Sequence, residues 1–366
     1  MKKLTNLLFA AALGVSLVGC GADGEVAPVE TEKPIEEEAA EVVEETTEDV
    51  YHGEEGKITV YLSGPEKMVN LLEEAFEEER GDVVEMFHAG CGPLKQKIYT
   101  EVESGNVLAD VYFGSNPLIF DVFKDQGVLC EYVSPNAEGI KEDLKTDGYY
   151  TFVNTRYQVI VYDTDTFDKE NAPKNYNDLL DAQFDGKIAY TDPSQSDTSL
   201  ALTCALYELN DNSMKFFEGL KDIHPLIVPK SKTVTEDIQA HETLVGICPH
   251  DAIVRLNRKA KKEGFDSNLG LSWPKDGAIE LDRPIAIMKN DARPETNQKL
   301  AEEFVDFMLS EKGQAITSKF GFYSVMDGAS TPKGLPEDVN AIQLNWKELS
   351  AKQTEINDEF ESIFAE

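Results

Sequence analysis

Four short clusters of small polar residues recur just after apolar, strand-like runs. They are Ser63-Gly64, Gly90-Cys91-Gly92, Gly114-Ser115-Asn116 and Ser194 to Thr198. Backbone N–H groups at helix starts, joined by hydroxyls, make a cradle for phosphate or carboxylate. The same residue types also cap helices and close turns, so no cluster decides alone. Recurrence at four strand ends is what favours binding. Ser63, Gly64, Gly92, Ser115, Asn116, Ser194, Ser196 and Thr198 are therefore candidate ligand contacts, and Ser231 is counted with them. A second group is His250-Asp251, with Asp276 in Pro274-Lys275-Asp276-Gly277. An imidazole and two carboxylates suit a polyol, since each can bind adjacent hydroxyls. The competing reading makes Asp251 a helix cap and His250 a solvated side chain.

Catalytic patterns are missing. There is no G-x-S-x-G elbow, no P-loop and no HExxH. Paired carboxylates such as Glu77-Glu78-Glu79 fall on solvated helix faces. No CxxC occurs and no Cys/His cluster has zinc spacing, so neither a metal nor a cofactor is expected. The net charge is −35, from 69 Asp and Glu against 34 Lys and Arg, which argues against a nucleic-acid partner. A small anionic ligand stays compatible, because local N–H dipoles dominate inside a cleft.

The elements that must position these residues alternate. Strands are expected at Lys57–Leu62, Val83–Phe87 and Ala109–Phe113, with helices at Glu66–Glu79 and Leu94–Ser104. A second series has strands Tyr157–Tyr162, Lys187–Tyr190 and Leu244–Cys248. Its helices begin at Tyr176, Ser199 and Ile253. Ile285–Lys289 reads as a further strand and Asn297–Leu309 as an amphipathic helix. Alternation of this kind predicts an α/β fold with mostly parallel sheets and helices on both faces. About 310 residues follow the N-terminal region, more than one core usually holds, so two lobes are expected. Ligand sites in such sheets sit at the C-terminal ends of the strands, where the polar clusters fall.

The chain starts with Lys2 and Lys3 and an apolar run from Leu7 to Val18, which predicts a secretory signal. The run is shorter than the roughly 20 residues that span a bilayer. Its end, Leu17-Val18-Gly19-Cys20, resembles the bacterial lipoprotein lipobox. That resemblance implies lipidation at Cys20 and an extracytoplasmic, membrane-anchored protein. Residues 21–56 carry fourteen Asp or Glu and one Lys, the composition of an extended spacer. The expected organisation is signal peptide 1–19, lipidated cysteine and linker 20–56, and lobe 1 over 57–155. Lobe 2 covers 156–283, a return to lobe 1 covers 284–330, and a helical extension covers 331–366. Cys91, Cys130, Cys204 and Cys248 remain. Four cysteines allow three pairings, with Cys204–Cys248 first among them; buried free thiols are the alternative.

Several phrases together resemble extracytoplasmic solute-binding proteins of ABC importers, in the group of ferric-ion, thiamine and hexose-phosphate binders. They are Leu108 to Gly114; Tyr176 to Leu180 with Gly186-Lys187-Ile188 and Asp192-Pro193; Val245-Gly246-Ile247; and Ala301 to Ser310 with Gly313-Gln314 and Gly321-Phe322-Tyr323. The resemblance implies two α/β lobes of the periplasmic-binding-protein type, joined by crossing hinge strands with ligand between them. It also implies permease subunits as partners and a monomeric receptor. Hexose-phosphate binders carry a similar His-Asp where His250-Asp251 stands, and a Pro-x-Glu-Gly where Asp276 replaces Glu. A phosphorylated sugar or related organophosphate is thus the first ligand expected. Iron is disfavoured, because the adjacent pair Tyr149-Tyr150 precedes the crossing strand. A thiamine-type clamp from Trp273, Tyr112 and Phe113 is an alternative, and a structural or adhesive lipoprotein is the alternative from another class.

Overall fold

The computed structural model describes residues 51–365. The signal segment, Cys20 and most of the acidic spacer lie outside the described residues. The first lobe begins with β1 (Ile58–Leu62), α1 (Glu66–Arg80), β2 (Val84–His88), α2 (Cys91–Glu103), β3 (Val111–Phe113) and α3 (Leu118–Asp125). The chain then runs along β4 (Thr151–Asp163) into β5 (Ile188–Thr191), α4 (Asp197–Leu209), α5 (Lys215–Asp222) and β6 (Leu226–Val228). The second lobe continues with α6 (Ser231–Gln239), β7 (Val245–Pro249), α7 (His250–Glu263) and β8 (Leu269–Ser272). β9 (Ala278–Ile287) returns to α8 (Glu295–Leu309), α9 (Glu311–Lys319) and β10 (Tyr323–Ser324). A short β11 (Ala341–Ile342) and α10 (Trp346–Phe364) close the chain.

β1 pairs in parallel with β2 and β3, and β5 pairs in parallel with β6 and β7. Between these ladders lie β4 and β9, antiparallel to each other from Thr151↔Ile285 to Gln158↔Ile279. Each crosses between the lobes. β9 meets β3 at Ile285–Ile287, and β4 meets β7 over Gln158–Tyr162. This is a two-lobed α/β fold with crossing hinge strands. Parallel pairing forms the outer ladders and recurs where the short β11 joins the start of β9, while β4 and β9 are antiparallel to each other.

Burial explains which faces form the cores. α1 has Met68, Leu72 and Phe76 at helical spacing, all buried with Val60, Phe304 and Met308 in the first lobe. In the second lobe, α4 lies against Leu349, Ile356 and Phe360 of α10. Leu118, at the start of α3, enters this same cluster, so a first-lobe residue is buried in the second lobe's core. The segment after Val325 ends in α10, which packs into the second lobe's core rather than hanging from it.

Three elements differ most from the sequence reading. β4 starts at Thr151 instead of Tyr157, and β9 starts at Ala278 instead of Ile285. Tyr176–Leu180 is a 3-10 turn instead of a continuing helix. The Cys204–Cys248 pairing is also corrected. Cys91, Cys130, Cys204 and Cys248 are all free thiols, and Cys248 Sγ donates to the carbonyl of Ser231.

Candidate functional site

Three helices of the two lobes start where strand ends meet. Ser63 follows β1, Cys91 opens α2, Ser115 and Asn116 precede α3, and Ser196 caps α4 by accepting from Ser199 N–H. The fold brings them into one row. Ser63 Oγ and Ser115 Oγ are 2.5 Å apart, Cys91 Sγ donates to Ser115 Oγ at 3.4 Å, and Thr198 Oγ1 donates to Cys91 Sγ at 3.7 Å. Asn116 Nδ2 crosses to the second lobe, donating to the carbonyl and to Oδ1 of Asp197 at 3.1 and 3.0 Å. Contact here is backbone-close: a Cβ on Gly92 would lie 2.1 Å from the carbonyl oxygen of Gln195. Gly64 sits at the edge of the row, its carbonyl accepting from His88 Nε2.

Beneath the row lies Arg283 of β9, fully buried. Its Nη2 donates to the Ser63 carbonyl at 2.5 Å and its Nη1 reaches Asn154 Oδ1 at 3.4 Å, while Nε has no hydrogen-bond partner. The guanidinium lies over the rings of Phe113 and Phe322. No carboxylate of the described residues forms an ion pair with it. Burial, with the like charge of Arg156, pulls its pKa below the ordinary arginine value, and it stays a cation at neutral pH. Burying a charge without a counter-ion is expensive, so such a group is kept where an anion can pair with it.

The remaining candidates are placed elsewhere. His250 is fully buried: Nδ1 accepts from Tyr157 N–H at 3.0 Å and Nε2 donates to Gly321 O at 2.8 Å. Asp251 is fully buried and accepts from Nε and Nη2 of Arg156 at 2.8–3.0 Å, and from Arg255. Burial alone would raise the Asp251 carboxyl; Arg156, Arg255 and His250 overcome this and hold it well below the usual range. The pair thus differs from both sequence readings. His250 is not solvated, and both groups are spent on protein partners instead of facing hydroxyls. Ser194 is exposed and bonded to Asp192, and Ser231 lies beside Thr191 at the second lobe's strand ends. Asp276 is an exposed turn residue whose N–H donates to Asn175. The three rings offered as a clamp go to separate neighbours. Tyr112 stacks on Phe120, Phe113 lies under Arg283, and Trp273 packs on Tyr157 and His250. A cavity of about 810 Å³ lies between α9 and the 326–333 loop, away from these residues.

Arg283, Asp197 and Arg156 were missed by reading the sequence. A signal existed for Arg283: Glu280, Asp282 and Arg283 put three charges inside an otherwise apolar strand, which requires partners across it.

The chain belongs to the bacterial extracellular solute-binding protein family, whose profile matches residues 106–352. It is a solute-binding protein of the kind that serves ABC importers. A putative 2-aminoethylphosphonate-binding periplasmic protein of Salmonella typhimurium is 20% identical over 315 residues, covering 81% of this chain and 89% of that protein. Iron-bound HitA from Pseudomonas aeruginosa superposes with a TM-score of 0.71 at 20% identity, over 83% of this chain and 99% of that one. AfuA from Actinobacillus pleuropneumoniae, with exogenous fructose-6-phosphate bound, gives 0.71 at 23% identity, over 84% and 98%. These structures share the fold. The relatives are binding proteins rather than enzymes, and the similar curated protein is periplasmic. Among the described residues no helix is long and apolar enough to cross a membrane.

Proposed function

We propose that this protein is the receptor of an ABC importer for a small organic anion with a phosphoryl or phosphonyl head. The observation that carries this is Arg283, a buried cation without a carboxylate partner, bonded to the backbone carbonyl of Ser63, whose hydroxyl meets that of Ser115. In a chain of net charge −35, such a group is not a general electrostatic feature. It matches a dianionic head that also accepts from hydroxyls and from N–H groups at the starts of α2 and α4. The similar Salmonella protein, named for a phosphonate, fits the same chemistry. Ligand is captured by closure of the lobes, which favours the state where Gly92 meets Gln195 and Asn116 meets Asp197. Cys20 tethers the receptor by lipid to the outer face of the membrane, the acidic spacer gives it reach, and it works as a monomer that hands ligand to the permease.

The test is mass spectrometry of co-purifying ligand, followed by thermal shift and calorimetry with phosphate monoesters, phosphonates and their neutral counterparts. A ligand at 100 times Kd adds about 2.7 kcal/mol of stability. Equal binding after removal of the phosphoryl or phosphonyl group overturns the reading.

A further inference from the structure

The second pole of the site is Asp197. It is 2% exposed, at the first turn of α4, and it forms no ion pair among the described residues. Its hydrogen-bond partner is the Asn116 amide. Burial raises its carboxyl above the ordinary value, while Lys95 and Asn116 oppose that. The groups whose fields it shares are Lys95 and Tyr99 of α2 and Tyr112 of β3, and of these only Lys95 is cationic. The row of contacts described above joins this acid to the buried cation. It runs from Arg283 to the Ser63 carbonyl, then through Ser115 and Cys91 to Thr198, the residue after Asp197. The two charges therefore stand at opposite ends of one polar row, and neither is paired with the other.

Resting on the anion reading, we propose that the ligand is a zwitterion: an aminoalkyl phosphate or phosphonate whose head is held by Arg283, Ser63 and Ser115 and whose ammonium is held by Asp197. A plain anion would leave Asp197 buried and unpaired, and a plain cation would leave Arg283 so. A molecule with both charges, separated by a short carbon chain, neutralises both at once. Leaving a buried charge unpaired carries the full desolvation penalty, so discrimination against the des-amino analogue should be large.

The experiment is calorimetry on the full chain with two matched pairs: ethanolamine phosphate against ethyl phosphate, and 3-aminopropylphosphonate against propylphosphonate. The wild type should bind the amino member of at least one pair about tenfold or more tightly. Asp197→Asn keeps an acceptor for Asn116, and should bring the two affinities of that pair within about twofold of each other. Equal binding within both pairs by the wild type overturns the zwitterion and leaves the anion reading standing. A preference that survives Asp197→Asn also overturns the assignment. If Asp197→Asn does not fold, the wild-type ratio decides. If neither pair binds and inorganic phosphate gives no thermal shift, the anion reading fails and this inference with it.

Discussion

At the scale of single residues, charge placement separates ligand chemistry from stability. Arg283→Met keeps most of the volume and removes the uncompensated cation. Apo stability should hold or rise, because apolar replacement of a buried ion is commonly neutral or stabilising. Affinity for a phosphate monoester or phosphonate should fall about ten- to a hundredfold. Melts and calorimetry on one preparation check both halves, and a variant that binds as well as wild type would remove Arg283 from the site. Asp251→Asn should do the reverse. It leaves Arg156 facing a neutral group and should cost about 3–5 kcal/mol in urea unfolding. His250 adds a pH signature. Burial lowers its pKa, with Asp251 opposing, so the folded protein holds it neutral where the unfolded chain protonates near pH 6.5. Its contribution is complete above that pH and is lost as the pH falls toward the lower folded value. His250→Gln should therefore lose less melting temperature than wild type between pH 7 and pH 5. The sequence made the hydroxyl row legible, because Ser and Gly after apolar runs are local signals. It marked Arg283 only as a charge inside an apolar strand, and could reveal neither its missing counter-ion nor the saturation of Asp251, because those depend on what lies across β4 and β9.

At the scale of elements, the close approach of α2 to the turn before α4 gives a direct test of lobe closure. Gly92→Val places a side chain where the Gln195 carbonyl stands, 2.1 Å from the Cβ position. Each lobe keeps its own core, so the melt should stay cooperative while the lobes are held apart. Small-angle scattering should show a larger radius, and ligand should no longer compact the molecule. An unchanged radius and affinity would show that this contact does not govern closure. Of the strands that escaped notice, β6 and β8 are three and four residues long and β10 and β11 two each, too short for periodicity to show. The first halves of β4 and β9 escaped for another reason. Thr155 and Tyr157 bond Asp282 and Glu280 across the hinge, so polar residues occupy positions that an apolar pattern would have marked.

At the scale of the whole molecule, the last helix is part of the body. Phe360 is 2% exposed among Tyr190, Phe217 and Phe364, so Phe360→Ala should cost about 3–5 kcal/mol. A single shifted urea transition would show that α10 unfolds with the rest; an unchanged midpoint would separate it. Alkylation of the denatured, unreduced protein should label Cys91, Cys130, Cys204 and Cys248 by peptide mapping, and oxidant-free melts should ignore reductant. Because α10 completes a core that also takes Leu118 and Ile279, the order in which the chain emerges matters. The first lobe needs β9 and α8, and the second needs residues beyond 345. A polypeptide delivered amino end first through a narrow pore thus finds no finished first-lobe core until β9 and α8 arrive, and no finished second-lobe core until its final segment does. The topology itself postpones collapse during export, and nascent chains stopped before Trp346 should stay protease-sensitive in the second lobe.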